Sequence, residues 1–243
     1  MVAPPSSTWS ASMSLSRLLV PLSEHVHLDH DDPTGAFVRA TPPRISLVPG
    51  MRIRGAAIRA FVQWYEVELG TPRFRSLLQR MPASVAGHFD LAAEGLGILA
   101  TSWYACALVE GLLDALTGHL SDHRRGHVAL RAARVVMRST LGGPYQRIFA
   151  TLATPERYAE RAQTLWNAYY DSGFMRVAPR SDVPGATCGI RHWRAHHPLL
   201  CGLNAGASTA IYEAMGKRQV STMRVACVSL GHDECVFSTT WRD

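Results

Sequence analysis

Apolar positions along the chain change their spacing twice. Residues 1–45 show no period. Pro4-Pro5-Ser6-Ser7, Asp31-Asp32-Pro33 and Pro42-Pro43 punctuate a stretch rich in Pro, Ser, His and Asp, the composition of a flexible arm. From Ile53 the apolar residues recur at three and four. Ile58, Phe61, Val62, Tyr65 and Leu69 share one helical face, and Gly70 ends it. Thr71-Pro72 opens a second helix, with Thr as N-cap and Pro in the first position. Residues 102–120 read as a third helix and 127–141 as a fourth, broken by Gly142-Gly143-Pro144. Thr154-Pro155-Glu156 starts a fifth that runs to about Tyr170. After Gly173 the period falls to two. Residues 174–178, 186–193, 219–229 and 235–241 read as strands, interrupted by one helix over 198–215 that Gly216 stops. The pattern predicts an α+β domain over residues 46–243, with N-terminal helices packed on a small antiparallel sheet that ends in a C-terminal hairpin.

Composition narrows the class. Of 243 residues, 47% are apolar and 18% charged, enough apolar sequence for a real core. No apolar run reaches the roughly 18 to 20 residues that a membrane helix needs. Residues 1–16 lack the basic start and clean apolar stretch of a secretory leader. Five cysteines are an odd number and too few for a disulfide framework. A reducing, cytoplasmic home is the expectation. The net charge of +6 invites a nucleic-acid reading. But Lys217 is the only lysine, and arginines such as Arg52, Arg54, Arg59, Arg73 and Arg75 interleave with apolar positions, as on solvated helix faces. Nucleic acid is therefore not the expected partner. No nucleophile elbow, phosphate loop, His-Glu-x-x-His or dinucleotide fingerprint is present.

The sharpest chemistry lies in Cys201, Cys227 and Cys235. A turn centred on Gly231 sets Cys227 and Cys235 opposite each other across a hairpin, and Cys201 falls in the first turn of the preceding helix. Three thiols so placed admit a zinc site, plain packing or redox chemistry. Zinc wants four ligands, and His232, Glu234, His197 or a water are candidates for the fourth. Cys106 and Cys188 read as inert. Trp103, Tyr104, Trp166, Tyr169 and Tyr170 form an aromatic set that either packs the core or lines a pocket for a small planar ligand. His119, His123 and His127 fall four apart, but Ser121-Asp122 and Gly126 between them favour a break. His25, His27 and His30 alternate with apolar and acidic residues, as a metal-gripping strand or a solvated segment would. The segment Arg191-His192-Trp193-Arg194-Ala195-His196-His197 reads as an exposed strand end, basic and aromatic.

The spacing Cys201-x25-Cys227-x7-Cys235, with Gly206 and Gly231, resembles the C-terminal signature of the vinyl-4-reductase (4VR) domain. That resemblance implies an α/β ligand-binding module of the kind found in aromatic-sensing activators, tetrapyrrole-pathway proteins and vesicle-tethering subunits. In the aromatic sensors the three matching cysteines bind zinc with a glutamate three residues before the middle one. Here that position is Arg224. A broader stretch also looks like a paralogous family of unknown function best known from myxobacteria, related to the 4VR and haem-nitric-oxide-binding-like domains. It takes in Gly55 to Gly70, Thr101-Ser102-Trp103-Tyr104, Leu165 to Gly173 and Gly231 to Trp241.

The function this implies is a non-catalytic small-molecule-binding or regulatory module. Its ligand would be apolar or aromatic, and it would act through homodimerisation or a partner protein. The alternatives are a scaffold or adaptor without ligand, and an enzyme or accessory protein in tetrapyrrole-type chemistry.

Overall fold

The computed structural model describes residues 51–141 and 154–242, without the side chains of 138–141. The arm over residues 1–45, its His25, His27 and His30, and the Gly142-Gly143-Pro144 break lie outside the described residues.

The helical part begins with a short strand. β1 (Arg52–Arg54) pairs antiparallel with β2 (Trp103–Ala105), setting Ile53 opposite Tyr104. α1 (Gly55–Leu69) buries Ile58, Phe61, Val62 and Tyr65 along one face, and Gly70 ends it with a φ of 77°. In α2 (Thr71–Leu78) the N-cap is Gly70 and not Thr71. The Thr71 hydroxyl donates instead to Glu66 Oε1 at 3.3 Å. α3 (Ala83–Ala86) is one turn. α4 (Cys106–Thr117) begins four residues later than the predicted third helix. The difference has a long-range cause. Trp103 and Tyr104, both strand formers, pair with β1, and Cys106 N–H donates to Met51 O at 2.9 Å. No local period reports that pairing.

α5 (Asp122–Leu141) starts five residues earlier than predicted, so His123 and His127 share one helix while His119 lies off it. α6 (Pro155–Tyr169) begins as its sequence dictates. Pro155 sits in the first turn and Thr154 Oγ1 accepts the Arg157 N–H at 3.3 Å.

The second part is one antiparallel sheet. β3 (Phe174–Pro179), β4 (Gly185–Arg191), β5 (Arg218–Ala226) and β6 (Glu234–Arg242) lie in the order β3-β4-β6-β5. β5 stops three residues short of its predicted end, because Val228–Leu230 forms a 3-10 turn that closes on Gly231 at a φ of 87°. α7 (Pro198–Ala214) lies against this sheet. Strand alternation turns Ala186, Cys188 and Ile190 of β4 and Cys235, Phe237 and Thr239 of β6 into the core. The buried Thr239 hydroxyl is satisfied by Thr222 at 3.0 Å, which in turn accepts from Thr209 of α7 at 2.9 Å.

α5 crosses α7 closely. A Cβ on Gly206 would stand 2.5 Å from Ala133 Cβ, and one on Gly202 2.6 Å from Ala129 Cβ. That seam of small residues sets how near the two helices lie. No helix among the described residues is long and apolar enough to cross a membrane.

Candidate functional site

Two neighbouring features lie between the helices and the sheet. The first is a cluster of thiols. Cys201 stands in the first turn of α7. Cys227 follows β5 and Cys235 lies on β6, and the last register pair of that hairpin, Ala226 with Val236, sets them opposite one another. The Sγ atoms are 3.6 Å apart for Cys201 and Cys227, 3.8 Å for Cys201 and Cys235, and 3.9 Å for Cys227 and Cys235. All three residues are buried. The loop between β4 and α7 adds His196, whose Nε2 lies 3.4 Å from Cys227 Sγ, and the four donor atoms lie within 4.8 Å of one another.

This spacing can be tested against a metal. Thiolates about 2.3 Å from a tetrahedral zinc ion lie about 3.8 Å from each other, and an imidazole nitrogen about 2.0 Å away lies roughly 3.5 Å from each sulfur. The three sulfur–sulfur distances match the first spacing, and His196 Nε2 to Cys227 Sγ at 3.4 Å matches the second. Three thiols and a histidine are also a donor set that structural zinc takes. Without a metal, protons divide unevenly over the cluster, and a metal would have to displace those on Cys201 and His196. Hydrogen bonds from the Cys201 and Cys235 thiols stabilise the Cys227 thiolate and hold its pKa below the ordinary thiol value, with burial opposing. Cys201 is pushed up as the donor to that thiolate. Burial disfavours a charged His196, but the sulfurs of Cys227 and Cys235 outweigh it and raise its pKa to about 9. Among the described residues no other group of three or more such side chains converges in this way.

The fourth donor was missed from sequence, where His232, Glu234 and His197 were the protein candidates. His232 Nδ1 meets the backbone of Cys227. Glu234 pairs with Arg191 on the outer face of the sheet. His197 caps α7, its Nδ1 accepting the Leu199 N–H at 3.1 Å, and its Nε2 faces Asp114 Oδ1 at 3.2 Å. Nor is the 191–197 segment an exposed strand end: Trp193, Ala195 and His197 are all buried. Arg224 lies on β5 opposite Phe237.

The second feature is an apolar cavity of about 110 Å³. Trp166 and Tyr169 of α6 close it together with Tyr170, the residue that caps the end of that helix, and with Leu200, Leu203 and Asn204 of α7. Cys188, Ile190 and Phe237 form its sheet side, and Ala133, Val136 and Met137 of α5 a further wall. Trp166 and Tyr170 stack at 4.1 Å with an interplanar angle of 22°. The Trp166 indole N–H donates to Ser172 O at 2.8 Å, and Asn204 Nδ2 donates to Tyr170 Oη at 3.4 Å. No charged side chain among the described residues reaches the lining. Burial holds Cys188 up at about 12 and raises Tyr158 and Tyr170, so that thiol and those two phenols stay neutral.

The aromatic set divides. Trp166, Tyr169 and Tyr170 line the cavity, whereas Trp103 and Tyr104 belong to β2 and do not. Trp103 faces Arg54 at 4.2 Å and Arg52 at 5.6 Å from its ring centre, and Tyr104 Oη accepts the Leu99 N–H at 2.8 Å. Cys106 donates to Glu110 Oε1 at 3.2 Å, and burial raises its pKa.

No family model matches the chain, and no curated protein matches it by sequence. Solved structures do match by shape. An H-NOX protein from S. oneidensis in the Fe(II)NO ligation state is 8% identical, with a TM-score of 0.57, over 79% of this chain and 100% of that one. The Fe(II) unliganded H-NOX protein from K. algicida is 14% identical, with a TM-score of 0.53, over 79% and 97%. The H-NOX domain from Shewanella oneidensis in the Fe(II)CO ligation state is 10% identical, with a TM-score of 0.53, over 79% and 99%. At such identities the likeness is one of architecture, and it makes the fold of this chain an α+β fold of the H-NOX type.

Proposed function

We propose that this chain is a non-catalytic regulatory module that holds a small apolar molecule in the cavity between helices and sheet, beside a zinc ion on His196, Cys201, Cys227 and Cys235. The apolar cavity carries the reading. Among the described residues the lining carries no charge and only a few neutral polar groups, which suits an apolar or aromatic ligand bearing at most one hydrogen-bonding group. The resemblance to the 4VR domain and its myxobacterial relatives supports the same reading, and so does the H-NOX-type fold.

Haem is the group that the fold brings to mind, and the lining does not fit it. Haem iron takes an axial His, Cys thiolate, Met or Tyr. Among the described residues no histidine lines the cavity and no arginine or lysine is there to meet the propionates; Met137 and Met175 do line it, but methionine serves haem as the ligand opposite a histidine. The volume also falls below the roughly 300 Å³ at which pockets for drug-sized ligands begin.

Output through a second copy or a partner protein is part of the proposal. The outer face of the sheet supports it, exposing Phe174 on one edge strand and Met223 and Val225 on the other, at 52%, 65% and 58% of their surface. Native mass spectrometry of the full chain tests the whole reading, since it reports metal, retained ligand and oligomeric state together. One zinc per chain and uptake of xenon or benzene, lost in Ala207→Leu, is the expected result. A protein that takes up neither probe refutes the cavity reading whatever its metal content.

A further inference from the structure

The cluster and the cavity are separated by a single layer of residues, joined at three places. Cys201 and Leu200 are neighbours on α7, one a cluster donor and the other a cavity wall. Cys235 and Ile190 are register partners across β6 and β4, again one in each feature. The third join is aromatic. Trp193 packs edge-on against His196 at 5.2 Å, against Trp166 at 5.1 Å and against Tyr170 at 5.4 Å.

Trp193 is the join that touches a cluster donor and two cavity-wall rings at once. It is 3% exposed, yet its indole N–H has no hydrogen-bond partner, so packing alone fixes the ring. The preceding residue, His192, holds a left-handed φ of 52°. A non-glycine residue stays in that region only where its surroundings force it. The surroundings here are Trp193 in the aromatic wall and His196 three residues on, at the cluster. A metal that ties His196 to three sulfurs ties this loop, and with it the outer support of Trp166 and Tyr170.

Resting on the zinc and cavity readings above, we infer that metal occupancy of the cluster sets the affinity of the cavity for its apolar ligand, through the His196–Trp193–Trp166/Tyr170 contacts. The metal holds the wall closed and complementary. Without it the loop relaxes, the wall slackens and the ligand loses its contacts. Linkage makes the effect reciprocal, so a filled cavity tightens metal binding by the same factor.

The test uses the full chain and xenon, a probe that enters dry apolar cavities. Xenon affinity is read from methyl NMR shifts of Leu200 and Ile190 in zinc-loaded and chelator-stripped protein. Coupling energies of the usual size make the stripped protein bind at least about fivefold more weakly. His196→Ala gives a second reading that survives unfolding of the stripped protein. Three thiolates and a water complete the tetrahedron, zinc stays bound, and xenon affinity falls by a comparable factor because the loop is free. Equal xenon affinity in loaded protein, stripped protein and His196→Ala overturns the coupling. A protein that binds xenon but takes up no zinc overturns it through the zinc reading. One that binds zinc but no xenon in any form overturns it through the cavity reading.

Discussion

The cluster and the cavity occupy adjacent parts of one core and solve opposite problems. At the cluster, four polar donors converge within 4.8 Å of one another, placed by a hairpin closing at Gly231, the first turn of α7 and a loop with a left-handed residue. At the cavity, apolar side chains surround space that none of them fills. The first arrangement is stable only if its charges are answered, as a metal would answer them. The second forgoes packing contacts that a fully filled core would make. A core that packed its thiols and also filled its middle would have avoided both.

The comparison breaks most sharply at the metal. In Cys235→Ser the zinc content falls from about one ion per chain to nearly none. Structural zinc adds several kcal/mol to folding. At about 2–4 °C per kcal/mol in a chain of this size, the melting temperature drops by roughly 10 °C or more. Elemental analysis and a thermal melt followed by circular dichroism check both halves. Stoichiometric loss of metal with no change in melting temperature would show that the cluster is held together by packing.

Phe237→Ala tests the other side. Phe237 is fully buried, lines the cavity and pairs with Cys188 of β4 on one side and Arg224 of the edge strand β5 on the other. Its truncation costs about 3–5 kcal/mol, read from urea unfolding, and leaves the metal bound. It also enlarges the cavity, so benzene raises the melting temperature of the variant by more than that of the parent chain. Stability lost without any gain in benzene binding would mean that the space collapses, and that the cavity is not a preformed feature. Thr154→Ala is milder. It removes the cap of the helix that carries Trp166 and Tyr169, for a loss of about 1 kcal/mol.

The two regions also differ in how far the sequence reveals them. Cys227 and Cys235 are eight residues apart around a turn glycine, so local geometry alone brings them face to face. Cys201 follows from the helix start at Pro198. His196 does not, because its partners lie across a loop whose path depends on Trp193 being buried; the basic residues on either side of that tryptophan made the stretch look exposed. The alternation of β4 and β6 announces an inward face but not the space above it. That space depends on how closely α5 approaches α7 over Gly202 and Gly206, and on where α6 sets its aromatic end. Trp103 and Tyr104 illustrate the same limit. Their spacing fits a helix, and a strand 50 residues away in sequence makes them a β-ladder.

The smallest expected effect comes from the outer face, directly behind the cluster. Arg191 Nε donates to Glu234 Oε2 at 2.6 Å, and Glu234 precedes Cys235. That hydrogen bond holds the Glu234 carboxyl below the usual glutamate range. A depressed carboxylate stabilises the fold above its unfolded pKa, about 4.3, and the contribution fades as pH falls through the lower folded value. Arg191→Gln therefore causes only a small loss of stability at pH 7, as expected for an exposed pair. The gap between variant and parent narrows as pH falls below about 4.3 and closes below the lower folded value, as urea unfolding at several pH values will show. Zinc content should not change, because the four donors are held by the turn, the helix and the loop on the inner face. If Arg191→Gln released the metal at pH 7, the outer ion pair would be holding the hairpin in register, and the two faces of β6 would act as one device.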